Sequence, residues 1–173
     1  MFEESKISEY ILPNGIKIIH KYRPGIVAHL ALMVNAGMRD ELTNENGLAH
    51  FIEHMLFKGT RKRKAYHILR CLENVGGELN AYTTKEETCI HASFLKEYYN
   101  KAIELIADVA LNSVYPENEV EKEKEVIIDE INSYRDSPAE EIFDEFENNL
   151  YRGHEMGRNI LGTTELVNNY TRN

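Results

Sequence analysis

Residues 47–57 read GLAHFIEHMLF, so two histidines and a glutamate fall within five consecutive positions of an otherwise apolar segment. Positions i, i+3 and i+4 of an α-helix lie on one face, which predicts that His50, Glu53 and His54 share one side of a helix. Such polar groups are costly in a buried helix unless they pair or bind a metal ion. The segment therefore predicts a metal site with His50 and His54 as ligands and Glu53 facing the open coordination position.

A catalytic zinc site usually has three protein ligands, so we expect a third ligand elsewhere in the chain. Residues 119–131 are the best candidate segment, because their apolar residues recur at helical spacing. Glu130 lies beside Ile127 and Ile131 on the apolar stripe of this predicted helix, where a buried carboxylate calls for a cation partner. Glu123 lies two turns earlier on the same stripe. The sequence therefore indicates Glu130 as the third ligand.

Three segments, residues 47–60, 77–83 and 123–130, together resemble the zinc peptidases of the pitrilysin family, which are inverzincins. Within that family the chain is most similar to the bacterial relatives of the mitochondrial processing peptidase. Glu130 stands 76 residues after His54, which matches the family's spacing for its third zinc ligand.

The resemblance implies one Zn²⁺ ion bound by His50, His54 and Glu130. It also implies that Glu53 is the general base that activates water, and that Glu123 supports the ligands without binding the metal itself. The expected activity is that of a zinc-dependent endopeptidase, a metalloprotease that hydrolyses unfolded or extended peptides. Iron, cobalt or manganese also fit two imidazoles and a carboxylate.

The segment after the motif is predicted to form a β-hairpin over residues 78–94, because β-forming residues alternate on both sides of a polar turn. In the family, the residues that match Asn80, Ala81, Tyr82 and Thr83 bind the substrate beside the zinc. An open strand edge accepts an extended peptide by main-chain hydrogen bonds. The alternative of an ordinary core hairpin stays open, since it explains the same alternation.

The order of elements predicts an α+β fold, a mainly antiparallel sheet with helices packed on one face, which is also the fold that the resemblance implies. The predicted strands span residues 8–11, 17–22, 28–35, 79–83 and 88–94. The predicted helices span residues 47–57, 65–75, 98–112, 117–136 and 138–151.

The resemblance extends from residues 12–15 to residues 160–163. Family members carry a further strand after this region and then a second, similar domain. The resemblance therefore implies that residues 1–173 form a truncated N-terminal zinc-peptidase domain, without the second homologous domain and with an incomplete sheet. An unpaired sheet edge promotes pairing, so we expect a homo-oligomer, a hetero-oligomer or a missing second half as partner.

The composition is that of an ordinary globular domain, with 42% hydrophobic and 28% charged residues in 173. The formal charge of −9 argues against nucleic-acid binding, which needs a concentrated basic face. The one basic cluster, residues 61–64, is expected to be a solvated loop. No apolar run suggests membrane insertion, residues 1–10 lack a signal-peptide pattern, and the two cysteines are expected to be reduced. These features predict a cytoplasmic protein.

Two other classes of function fit parts of the pattern. A non-catalytic partner or scaffold subunit of the same fold is one, but such subunits tend to lose motif residues and all five acids and imidazoles are present here. A small-molecule metal-dependent lyase is the other, since S-ribosylhomocysteine lyases use a similar helix with a cysteine as third ligand. Cys89, which lies downstream of the motif in the predicted hairpin, would replace Glu130 in a lyase.

Overall fold

The computed structural model describes residues 7–172 of the chain. Within these residues every strand pair is antiparallel, and the helices lie between or after the strands. The strands are β1 (Ile7–Ile11), β2 (Lys17–Lys21), β3 (Val27–Val34), β4 (Glu78–Thr83) and β5 (Thr88–Leu95). The helices are α1 (Leu48–Met55), α2 (Ala65–Glu73), α3 (Tyr99–Asn112), α4 (Glu117–Arg135), α5 (Pro138–Leu150) and α6 (Thr164–Asn169).

The strands form two sheets. Strands β1 and β2 make a separate hairpin around residues 12–16, where Gly15 has a φ of 89° and Leu12 and Ile16 are joined by a backbone hydrogen bond. The other three strands have the order β3-β5-β4, so β5 is central and both β3 and β4 are edge strands. The alternation of side chains along β5 sends Ile90, Ala92 and Phe94 into the core.

One face of the three-stranded sheet is covered by α2 and α3. Ile68 and Leu72 of α2 and Leu105 and Val109 of α3 are fully buried against it, and they form the larger hydrophobic cluster. This arrangement confirms the predicted α+β class, with helices on one face of an antiparallel sheet.

Helix α1 lies at the boundary between two clusters. Leu56, which follows α1 directly, belongs to the larger cluster, whereas Phe51 and Met55 pack in a second cluster with α4 and α6. Ile127 and Ile131 are the α4 residues at the centre of this second cluster. The apolar stripe of α4 therefore packs directly against the helix that carries the two histidines.

The predicted elements agree with the observed bounds to within two residues. Helix α6 was not predicted from the sequence. Thr163 directly precedes this short helix, and its hydroxyl accepts a hydrogen bond from the backbone N–H of Leu166. No helix among residues 7–172 combines the length and the apolar character needed to cross a membrane.

The expectation that residues 61–64 form a solvated loop is wrong for Arg63. Its guanidinium donates to the carboxylate of Asp108 at 2.5 Å, and Thr60 donates to the same carboxylate at 2.8 Å. Asp108 is 2% exposed on α3. A buried carboxylate requires such partners, and this one ties the loop to α3.

Candidate metal centre

The motif helix α1 begins at a tightly packed turn. Gly47 precedes α1 with a φ of 98°, a left-handed conformation that favours glycine. The carboxylate of Glu41 accepts hydrogen bonds from the backbone N–H groups of Gly47 at 2.8 Å and Ala49 at 2.7 Å. These two N–H groups have no partner within the helix itself, so Glu41 satisfies the start of α1 and fixes its position.

The side chains of His50, His54 and Glu130 converge between α1 and α4. Each side chain offers one possible ligand atom, and these three atoms lie within 4.8 Å of one another. Oε2 of Glu130 is 3.7 Å from Nε2 of His50 and 3.5 Å from Nε2 of His54. These distances are too long for good hydrogen bonds, whereas ligands of a tetrahedral zinc ion are about 3.4 Å apart.

The charge states of these groups also fit a metal ion. The pKa of His50 is lowered to about 4, mainly by burial and further by the charge of His54. Its Nδ1 atom is buried and has no hydrogen-bond partner among residues 7–172. The pKa of Glu130 is raised, mainly by burial and further by Glu53, although His54 acts in the opposite direction. A neutral imidazole and a carboxylate are suitable ligands for zinc.

The second ring nitrogen of His54 faces a different acid. Oε1 of Glu123 lies 2.9 Å from Nδ1 of His54, and the Glu123 side chain is only 6% exposed. The other oxygen of this carboxylate is 2.5 Å from Nζ of Lys58. Glu123 therefore lies on the buried stripe of α4, with one carboxylate oxygen at hydrogen-bond distance from a histidine and the other paired with Lys58.

Glu53 is half-buried on α1, between the two histidines in sequence. Its charge contributes to the raised pKa of Glu130, so the two carboxylates lie near one another. The acid of the motif thus lies beside the candidate ligands.

The four residues predicted to bind substrate lie on β4, an edge strand that packs against α1. Asn80 and Tyr82 are exposed, whereas Ala81 is buried and Thr83 is half-buried with a hydroxyl that lacks a partner among the described residues. The backbone N–H of Ala81 donates to the side chain of Asn80 at 2.9 Å rather than to a neighbouring strand. The strand therefore has an open edge beside the metal centre.

Two residues at this centre were not identified from the sequence. Lys58 follows His54 by four positions, a spacing that could have suggested proximity, but its partner Glu123 is distant in the chain. Glu41 lies in an irregular segment whose sequence gives no capping signal. Cys89, the ligand of the lyase alternative, lies opposite Tyr82 in the β4–β5 pair and is not part of the group formed by His50, His54 and Glu130.

The sequence is similar to a known family of peptidases and to a named zinc protease. The family model described as Insulinase (Peptidase family M16) matches residues 17–164. A Bacillus subtilis protein named uncharacterized zinc protease YmxG is 37% identical over 162 residues, which cover 93% of this chain and 40% of that protein. The chain thus spans about 40% of the length of such relatives.

Solved structures show the same fold. The crystal structure of a protease from Helicobacter pylori matches with a TM-score of 0.92 and 25% identity, over 96% of this chain and 41% of that chain. A peptidase M16 inactive domain from Pseudomonas fluorescens matches with a TM-score of 0.87 and 18% identity, over 95% and 40% of the two chains. The family model covers most of the sequence and the relatives include named zinc proteases, so this chain belongs to the insulinase family of peptidases, family M16.

Proposed function

We propose that this chain is the metal-binding part of a zinc-dependent endopeptidase that hydrolyses unfolded or extended peptides. The observation that carries the proposal is the convergence of His50, His54 and Glu130 at distances that suit one metal ion. Membership of a family with named zinc proteases supports it.

In this proposal His50 and His54 bind zinc through their Nε2 atoms and Glu130 binds it through a carboxylate oxygen. When bound, Zn²⁺ would act as a Lewis acid and lower the pKa of a water molecule at its open position to about 7. Glu53 would accept the proton of the attacking water and deliver it to the amine of the leaving peptide. Glu123 would hold the ring of His54 by accepting the hydrogen of Nδ1.

The open edge of β4 supports an extended substrate. A peptide that pairs with β4 through main-chain hydrogen bonds would lie beside α1, because β4 and α1 pack against each other. Such pairing uses the backbone more than the side chains, so it favours unfolded segments over folded proteins. The Asn80 side chain would have to release the N–H of Ala81 for that group to bind the peptide.

The test is cleavage of an unfolded peptide together with elemental analysis of the purified chain. We expect one zinc per chain, cleavage that stops after chelation, and recovery when zinc is added back. Replacing one peptide N–H of the substrate by an ester oxygen is expected to slow cleavage if β4 pairs with the backbone. A chain that holds no metal while folded would contradict the proposal.

A non-catalytic subunit of the same fold is the alternative that the comparisons favour most. The match to the inactive M16 domain indicates that this fold occurs without activity. The presence of the complete set of acids and imidazoles supports the peptidase. Zinc binding without cleavage, in the presence of any partner chain, would favour the scaffold.

The lyase alternative has less support, because Cys89 is not among the converging ligands. It remains testable with a single variant. Cys89→Ser is expected to keep the metal in the peptidase proposal and to lose it in a lyase.

Exposed apolar side chains support the expectation of a binding partner. Helix α5 leaves four large apolar side chains between 58% and 71% exposed, namely Ile142, Phe143, Phe146 and Leu150. Strand β3 is a sheet edge on which Val27 and Met33 are more than half exposed. We propose that these surfaces pack against another part of a longer protein or against a second chain. Analytical ultracentrifugation that finds only monomer would contradict the proposal of a second chain.

We propose that the protein is cytoplasmic, and fractionation of cells checks this.

A further inference from the structure

We propose that Lys58 is a positioning residue for the metal centre: its ammonium group holds the carboxylate of Glu123, which in turn holds the His54 ring with Nε2 facing the metal position. This inference rests on the proposed metal site, which it extends to a residue outside the family motif of acids and imidazoles.

The contacts form a continuous chain from Lys58 to the ligand position. Nζ of Lys58 is 2.5 Å from Oε2 of Glu123, and Oε1 of the same carboxylate is 2.9 Å from Nδ1 of His54. Nε2 of His54 then faces Glu130 at 3.5 Å. Each oxygen of Glu123 thus has one of these two partners.

The burial of Glu123 explains why both partners matter. The side chain is 6% exposed, so water does not compensate for a lost contact. With Lys58 in place, the carboxylate plane is fixed by two contacts. Without Lys58, the carboxylate has only the contact to His54 and can rotate. The imidazole then has an acceptor that is no longer held in one orientation, and its preference for one tautomer weakens.

Other charges nearby do not take the place of Lys58. Glu119 is the other acid of α4 near Lys58, but it already pairs with Lys122 at 2.8 Å, and this hydrogen bond is the main cause of its lowered pKa. Lys124 pairs with Glu121 at 2.8 Å. Among residues 7–172, Lys58 is the one ammonium group found within ion-pair distance of Glu123.

The two histidines differ in the polar contacts that orient their rings. Nδ1 of His50 is buried without a partner in the described part of the chain, so no hydrogen bond at that nitrogen orients the ring. His54 is 22% exposed at its side chain, twice the 11% of His50, and depends more on a polar contact for its orientation. We therefore expect Lys58 to affect the site through His54 only.

The first experiment measures Co²⁺ binding by visible absorption for the wild type, Lys58→Met and the control Lys62→Met. Lys62 also pairs with a glutamate, Glu104 at 3.2 Å, but does so on the surface of α3. We expect about tenfold weaker Co²⁺ binding and an altered absorption band in K58M, and no change in K62M. Lys58→Gln is prepared in parallel, so that a folding failure of one variant does not remove the test.

A double-mutant cycle identifies the route of the effect. If Lys58 acts through Glu123, then Lys58→Met in the Glu123→Gln background should change the Co²⁺ affinity by less than about twofold. Additive losses in the double variant would overturn the proposal, as would a K58M variant with wild-type affinity.

The second experiment needs no metal. Imidazole ¹⁵N NMR at pH 8 reports which nitrogen of His54 carries the hydrogen in the metal-free chain. We expect the wild type to hold it on Nδ1 and K58M to show a mixture of tautomers. An unchanged tautomer population in K58M overturns the proposal, whether or not the chain binds Co²⁺. Failure of the wild type to bind Co²⁺, with the tautomer change present, would instead contradict the proposed function alone.

Discussion

Nδ1 of His54 lies 2.9 Å from Oε1 of Glu123, although 69 residues separate them in the chain. This contact joins the C-terminal end of α1 to the buried stripe of α4. At the other end of α1, Glu41 accepts hydrogen bonds from the first N–H groups of the helix. The candidate metal helix is thus held at both ends by carboxylates from other segments, which limits the movement of its histidines.

Substitution Glu53→Gln separates binding from catalysis. The change keeps the size of the side chain and removes its ability to accept a proton, so we expect one zinc per chain but at least a hundredfold slower peptide hydrolysis. Elemental analysis and a quenched fluorescent peptide measure the two properties. Glu73→Gln on the exposed end of α2 is the matched control and should be unaffected. Undiminished turnover in E53Q would remove Glu53 from the proposed role.

Substitution Glu130→Gln should remove the metal as well as the activity. A neutral amide is a poor zinc ligand, and only two protein ligands would remain. Zinc that binds only the folded state stabilises that state, and the gain grows with the logarithm of the zinc concentration relative to Kd. We therefore expect added zinc to raise the melting temperature of the wild type and not that of E130Q. Differential scanning fluorimetry, with and without a chelator, measures this. An equal rise in both proteins would exclude Glu130 as a ligand.

Burial of His50 makes the stability of the metal-free chain depend on pH. Its pKa is lowered from 6.5 to about 4 in the folded state, mainly by burial and then by His54. Between these values the unfolded chain binds more protons, so the free energy of unfolding decreases as the pH falls through this window. We expect a loss on the order of 2 kcal/mol from this group between pH 7 and pH 5.

Urea denaturation at several pH values tests this pH dependence. Glu130 acts in the opposite direction, because its raised pKa makes the folded state bind the extra proton above pH 4.5. The difference between the wild type and His50→Leu isolates the histidine, and the variant should show a shallower decrease. Identical slopes for the two proteins would contradict the lowered pKa.

A glycine pair tests the packing at the start of α1. Gly162 and Gly153 have φ values of 74° and 79°, so alanine is strained at both positions by about 1 kcal/mol. A Cβ at Gly162 would lie 2.2 Å from the carbonyl oxygen of Asn46. A Cβ at Gly153 would have none of the described atoms within 4 Å. We expect Gly162→Ala to be at least about 2 kcal/mol more destabilising than Gly153→Ala in urea denaturation. Equal costs would indicate that the loop can move away from α1.

The helical spacing of residues in the sequence predicted part of the site. The order of His50, Glu53 and His54 fixes their shared face, because the helix repeats every 3.6 residues whatever surrounds it. The apolar stripe of α4 likewise predicted buried carboxylates at Glu123 and Glu130. The Glu123 side chain is 6% exposed, whereas that of Glu130 is 32% exposed. The resemblance then connected these two helices, which spacing alone does not do.

Contacts between distant segments needed the tertiary structure. The pairing of Arg63 with Asp108 and the cap that Glu41 provides depend on how loops pack, and no local pattern of residues encodes them. The apolar side of α5 is a further case, since its amphipathic sequence does not reveal that Phe143 is 71% exposed.

The sequence by itself therefore determined the identity and the local spacing of the candidate ligands, because helical geometry is set within a few residues. Only the tertiary structure decided that α1 and α4 bring His50, His54 and Glu130 to one point, and that Lys58 reaches Glu123. The reason is physical: these distances depend on the packing of Phe51 and Met55 against the isoleucines of α4, a property of the whole core rather than of any one segment.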